Sequence, residues 1–143
     1  MTPLTSVAIP PDIWPLVVAH LRKALPAEGC GLLAAAGSRA EARIENFFPG
    51  TNEFNSPTRY RMAGREVIEA HKVMRERGWW LAAIVHSHPK GPATPSPTDL
   101  REALYPDAAL LIVDLSGSEP VARAWQVQTG PRRTAIEVAL MFG

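Results

Sequence analysis

Trp80-Leu81-Ala82-Ala83-Ile84-Val85 is a continuously apolar run of strand length, followed directly by His86-Ser87-His88-Pro89. A strand with no polar alternation has to bury both faces, so it belongs in the middle of a sheet that is covered on each side. Around it the chain alternates between the two periodicities. A short strand is expected over Ser6 to Ile9. Pro10 and Pro11 then lead into a helix carrying Trp14, Val17, Val18, Leu21 and Leu25 at helical spacing. Asp12 is the expected N-cap, which keeps Pro15 within the first turn, and Pro26 stops the helix. Glu28 to Ala36 and Ala42 to Phe48 read as a hairpin turning at Gly37-Ser38. After a polar stretch from Pro49 to Arg59, a helix is expected from about Ala63 to Arg77, ended by Gly78. Beyond the central strand, a short helix from Pro97 to about Leu104 precedes strands at Ala109 to Leu115, Val121 to Gln128 and Arg132 to Met141. The order predicts an α/β fold, a mixed β-sheet flanked by helices.

Length and composition narrow the classes of function. A chain of 143 residues fits one domain, expected over residues 1–143, with a self-sufficient core. The fourteen prolines fall mostly between apolar segments, and no repeat or low-complexity tract divides the chain. The net charge is +1 with scattered Lys and Arg, so a nucleic-acid partner is not expected. One cysteine, Cys30, excludes an intramolecular disulfide and fits a reducing compartment. No apolar run approaches the roughly 20 residues that cross a bilayer, and the N-terminus shows no basic segment followed by an apolar one. A cytoplasmic protein without membrane contact is expected.

The chemistry concentrates in His86-Ser87-His88-Pro89, the loop Lys90 to Pro95, and Ser96-Pro97-Thr98-Asp99. In extended backbone, residues two apart project to one side, so His86 and His88 can present both imidazoles to a single metal at the end of the central strand. Pro89 biases His88 away from helical geometry. The Pro- and Gly-rich loop turns the chain back, and Asp99 shares a helical face with Ser96 three residues earlier. Two imidazoles and a carboxylate leave a fourth tetrahedral position open, as in catalytic zinc sites. Plainer readings exist for each part. Ser96-Pro97-Thr98-Asp99 is also a good helix start, with Ser96 as N-cap and an acidic residue in the first turn, and histidines at strand ends are often satisfied polar groups. The conjunction of all the elements carries the metal reading.

With this spacing, and with Glu28 in Pro26-Ala27-Glu28-Gly29-Cys30-Gly31-Leu32-Leu33 opening the first long strand after the first helix, the chain resembles the JAMM/MPN+ (Mov34, PAD-1-like) metallopeptidases, in particular the compact bacterial and archaeal members. The resemblance implies a deaminase-like mixed sheet with flanking helices and hydrolysis of peptide or isopeptide bonds. It implies Zn2+ on His86, His88 and Asp99, with Glu28 and Ser96 catalytic. Zinc would activate water, Glu28 would move the proton from water to the leaving amine, and Ser96 would donate to the oxyanion. It also implies a ubiquitin-like or sulfur-carrier protein as substrate, cut after a C-terminal diglycine, and the oligomeric state stays open.

Two other classes compete. A mononuclear non-haem iron enzyme uses the same two histidines and carboxylate, although its usual all-β barrel and its lack of need for Glu28 fit poorly. A scaffold of the same fold would lack ligands that are present here. Elsewhere, His71, His20, Cys30, Trp79 and Trp80 read as core or packing residues. The segment Thr51-Asn52-Glu53-Phe54-Asn55 reads as a candidate for substrate contact.

Overall fold

The computed structural model describes residues 3–143; residues 1 and 2 of the expected domain lie outside the described residues. The elements run β1 (Ser6–Ile9), α1 (Trp14–Ala24), β2 (Cys30–Ala36), β3 (Glu41–Gly50), α2 (Gly64–Arg77), β4 (Trp80–His88), α3 (Pro97–Arg101), β5 (Ala109–Asp114), β6 (Val121–Gln128) and β7 (Thr134–Phe142). The strands follow one another in space as β1-β3-β2-β4-β5-β6-β7 and close into a mixed barrel. β1 makes the closure by pairing in parallel with both β3 and β7. β4, the apolar run, lies between β2 (antiparallel) and β5 (parallel), as its composition requires.

Alternation along the central strands divides the interior into two clusters. Leu33, Ala35, Ala83, Val85, Leu111 and Val113 point to one face, where Val17 and Leu21 of α1 join them. Leu32, Ala34, Ile84, Leu110 and Ile112 point to the other, covered by Ala70 and Met74 of α2. Continuing the period of two from Ile84 places His86 and His88 on the α2 face. Both histidines are buried, and no helix among the described residues is long and apolar enough to cross a membrane.

Several boundaries differ from the sequence expectation, among them the end of β3 at Gly50 and the start of β7 at Thr134, and three have a local cause. The N-cap of α1 is Ile13, without a side-chain cap, because the Pro10 carbonyl already accepts the Ile13 and Trp14 N–H groups and leaves Asp12 nothing to satisfy. α3 ends at Arg101 rather than near Leu104. There the Arg133 guanidinium takes the carbonyls of Leu100, Arg101 and Ala103, at 3.1, 3.1 and 2.8 Å, which removes the acceptors a further turn would need. β2 begins at Cys30 rather than Glu28, since residues 28 and 29 bond outside the regular ladder.

Gly31 is where β2 tolerates no side chain. A Cβ there would stand 2.7 Å from the Phe48 carbonyl oxygen and collide with the Phe47 ring. Gly31→Ala is expected to destabilise the fold by about 1–3 kcal/mol, the usual range for overpacking. Chemical denaturation measures it, and an unchanged midpoint would show that β3 yields freely.

Candidate active site

The antiparallel register of β2 with β4 sets Cys30 opposite His86. Carried two residues further, it sets Glu28 opposite His88. The ladder loosens on the way: the Ser87 N–H donates to the Gly29 carbonyl at 3.0 Å, and the Gly29 N–H finds the Ser87 hydroxyl oxygen at 2.8 Å. Ser87, pointing away from its histidine neighbours, thus fastens the Glu28 segment to β4.

His86, His88 and Asp99 meet at one point. The Nε2 atoms of the two histidines are 3.2 Å apart. Asp99 reaches both, with Oδ1 3.2 Å from His86 Nε2 and Oδ2 3.1 Å from His88 Nε2. A β-strand end and the first turn of α3 are brought together by the 89–95 loop, which the Trp125 indole N–H holds through the Ala93 carbonyl at 2.9 Å. His88 is oriented from behind, because its Nδ1–H donates to the Pro92 carbonyl at 2.7 Å and leaves Nε2 for the cluster. His86 has no such partner at Nδ1 among the described residues. Its ring is held by stacking on Tyr60, with centroids 4.6 Å apart and planes tilted by 23°.

Asp99 is fixed by a capping box. Its N–H donates to Ser96 Oγ at 3.0 Å, and its Oδ2 accepts from the Ser96 N–H at 2.9 Å. The capping role of Ser96 and its place beside the cluster coexist, since the hydroxyl accepts in the cap and keeps its own proton to donate.

The charges follow from burial and partners. Burial pushes the Asp99 carboxyl up, but hydrogen bonds from His86 and His88 override it and hold the group well below the usual carboxylate range. Burial lowers the His86 pKa, keeping that imidazole neutral. For His88 burial also acts downward, and the Asp99 bond, the Pro92 carbonyl and the nearby Glu28 charge together raise its pKa. Glu28 is 3% exposed. Burial, with a smaller push from Asp99 and against the pull of His88, raises its pKa to about 7. Its Oε1 has no hydrogen-bond partner among the described residues. Three convergent N and O donors form a group that could hold a metal ion, and the Glu28 carboxyl lies near enough to feel the charges of His88 and Asp99.

Beside His86 and Asp99 lies a cavity of about 470 Å³, walled by apolar side chains that include Leu32, Met62, Val67, Ile84 and Leu110. Phe54 lines it, whereas Asn52 turns its side chain inward to the backbone and Thr51 binds the Glu66 carboxylate at 2.7 and 2.9 Å. Of the expected contact segment, Phe54 therefore lines the cavity, while Thr51 and Asn52 have structural roles. Cys30 also lines the cavity, but burial pushes its thiol up to about 12, which removes it as a nucleophile at neutral pH. His20 shares Nε2 between the Cys30 and Gly50 carbonyls at 3.0 and 2.9 Å, a structural role. Tyr60 went unforeseen in the sequence; it lies in a polar loop without periodicity, where no local pattern predicts stacking on His86.

Comparison with known proteins agrees with this geometry. A family model described as prokaryotic homologs of the JAB domain matches residues 10–128. A protein named CysO-cysteine peptidase from Mycobacterium tuberculosis is 37% identical over 102 residues, covering 71% of this chain and 68% of its own. A Thermus thermophilus protein named as a probable TtuB-protein conjugate cleaving protease is 44% identical over 88 residues, covering 61% of this chain and 56% of its own. Among solved structures, a Desulfitobacterium hafniense protein superimposes with a TM-score of 0.86 at 31% identity, over 96% of this chain and 92% of that one. One from Salinibacter ruber gives 0.72 at 28% identity, over 95% and 91%. A family match that spans most of the domain, from α1 to the end of β6, identifies the chain as a member of the prokaryotic JAB-domain family.

Proposed function

We propose that the protein is a zinc-dependent JAMM-type hydrolase that cleaves a peptide or isopeptide bond at the diglycine C-terminal tail of a ubiquitin-like or sulfur-carrier protein, with His86, His88 and Asp99 as metal ligands. The observation that carries this reading is the buried Glu28 carboxyl, unpaired at Oε1 among the described residues and with its pKa raised to about 7, beside a group in which the two histidine Nε2 atoms and the two Asp99 oxygens contact one another at 3.1–3.2 Å. Tetrahedral zinc with bonds of about 2.0–2.1 Å has donors about 3.3 Å apart, close to the 3.2 Å between the two histidine Nε2 atoms, and one ligand atom from each of the three residues lies within 4.8 Å of the others. A facial-triad oxygenase has no use for such a carboxyl. The relatives named as peptidases of CysO-cysteine and of TtuB conjugates support the same substrate class.

When bound, zinc supplies Lewis acidity that acidifies water and polarises the scissile carbonyl. Glu28, with a proton affinity matched to neutral pH, accepts a proton from the attacking water at its carboxylate and returns it to the leaving amine nitrogen. The Ser96 hydroxyl donates to the carbonyl oxygen as negative charge builds there, while its oxygen continues to cap α3. Pro92 keeps the His88 tautomer with Nε2 free, and the capping box keeps Asp99 aimed. A glycine-rich tail suits the approach to a site sunk at a strand end, since it brings the scissile carbonyl in without side chains in the way.

Metal analysis is expected to find one zinc per chain, and His88→Ala to lose it; a stoichiometry near zero after reconstitution overturns the ligand assignment. Glu28→Gln is expected to keep zinc and to slow turnover by about 10²–10⁴-fold. The same change should stabilise the metal-stripped protein. A carboxyl whose folded pKa is raised from 4.5 to about 7 costs stability progressively as pH rises across that interval. The melting temperature of Glu28→Gln should therefore exceed that of the wild type at pH 8, with the difference shrinking toward pH 5. Loss of zinc from this variant would instead make Glu28 a ligand.

Ser96→Ala is expected to cost about 0.5–2 kcal/mol through the lost cap and about 10²–10³-fold in kcat through the lost oxyanion donor. Unchanged kinetics in a destabilised variant would leave only the cap. For the substrate, intact-mass measurements on sulfur-carrier conjugates should show that valine in place of the glycine before the scissile bond suppresses cleavage far more than a change after it. Equal cleavage of the valine tail, or rapid hydrolysis of unrelated unstructured peptides, would indicate a general peptidase.

A further inference from the structure

Residue 28 is held on both sides of its peptide backbone by one loop. The Glu28 N–H donates to the Ser56 carbonyl at 2.8 Å, and the Glu28 carbonyl accepts from Asn52 Nδ2 at 3.0 Å. Neither is a ladder bond, for β2 starts two residues later. With Oε1 buried and unpartnered, the side chain has no anchor of its own at that oxygen. The direction of the carboxyl is therefore inherited from the backbone, which the loop holds at residue 28 and Ser87 holds at Gly29.

Within that loop Asn52 is the knot. Its Nδ2 donates to the Glu28 and Arg59 carbonyls, both at 3.0 Å, and its Oδ1 accepts the Phe54 and Arg61 N–H groups, both at 3.1 Å. Two donated and two accepted bonds exhaust what a carboxamide can make, and the amide orientation is unambiguous because flipping it would set donors against donors. Asn52 also forms an isolated antiparallel bridge with Met62, which closes the loop at its base. A loop asparagine can satisfy itself within its own turn, by bonding the backbone two residues on. This one spends one of its bonds on the residue opposite His88.

We infer that Asn52 is a positioning residue: it ties the 52–62 loop to the Glu28 peptide and so aims the Glu28 carboxyl at the His86, His88 and Asp99 group. The inference rests on the hydrolase reading for its catalytic consequence, and on hydrogen-bond geometry alone for its structural one. Asn52→Asp separates the two faces of the side chain. The aspartate keeps an oxygen acceptor for Phe54 and Arg61 but has no donor, and it turns a carboxylate oxygen toward the Glu28 and Arg59 carbonyls.

Residue-resolved amide hydrogen exchange should show the Glu28 N–H of Asn52→Asp losing at least about tenfold of its protection, while Ile84 and Val85 in β4 keep theirs. On a sulfur-carrier conjugate, zinc-loaded Asn52→Asp should fall about 10²-fold in kcat with zinc content unchanged, the scale of a misplaced catalytic group. In the Glu28→Gln background the same substitution should add no further loss to the residual single-turnover rate, because the carboxyl it aims is already gone. A merely structural loop residue would reduce both backgrounds alike. Undiminished protection at Glu28, or equal fold-losses with and without the Glu28 carboxyl, overturns the inference. If the aspartate variant does not fold, Asn52→Ala, whose side chain has no donor, is read in the same two ways. A wild-type protein that cleaves no tail counts against the hydrolase reading instead, and the exchange result then decides the role of Asn52 unaided.

Discussion

The register of β2 against β4 is the constraint on which the site depends. With Cys30 opposite His86, the period of two puts His86 and His88 on the face covered by α2, and the loosened end of the ladder brings Glu28 level with His88. A slip of one residue would turn every side chain of the strand over, sending both histidines into the cluster packed by α1. Burial on both faces makes that slip prohibitive, since the residues of each face have their own apolar partners. Ser87 secures the point at which register matters most, replacing a ladder bond with a hydroxyl at the Gly29 N–H.

On this frame the electrostatics are arranged against stability. Two buried imidazoles and a partly buried carboxylate converge on one another, and a second carboxyl is held at the same edge without a partner at Oε1 among the described residues. In a domain with no function there, such a group would be replaced by an apolar or amide side chain at a gain in stability. Their geometry is instead reinforced from outside: Pro92 behind His88, Tyr60 against His86, the Ser96 cap behind Asp99 and the Asn52 loop behind Glu28. These supports come from two segments, the stretch leading into α3 and the 52–62 loop, so the site depends on chain outside the strand that carries the histidines.

The cavity beside the site has a different character from its polar centre. Its walls come from the apolar face shared by β2, β4, β5 and α2, and the 52–62 loop that bonds the Glu28 backbone also contributes Phe54 and Tyr60 to the lining. The same short segment therefore shapes the cavity and holds the candidate base, which couples the two physically. Arg59 of this segment forms a bidentate pair with Glu102 just past α3, at 3.1 and 2.7 Å, joining the loop to the element that carries Asp99.

Much of this was legible in the chain itself. The apolar run before His86 determined a central strand, the His-x-His spacing determined a shared side for two imidazoles, and Ser96-Pro97-Thr98-Asp99 determined a capped helix start, because each of these depends on contacts within a few residues. Even the packing roles of Cys30 and His20 followed from their places in apolar segments. Barrel closure through β1 did not, since parallel pairing between residues 6–9 and two distant strands leaves no local mark. Nor did the early end of α3, which Arg133 imposes from another hairpin. The raised pKa of Glu28, the stacking of Tyr60 on His86 and the four bonds of Asn52 were decided by tertiary structure alone. Burial and hydrogen-bond satisfaction belong to the environment that the folded chain makes around a residue, and the residue's sequence neighbours do not contain that environment.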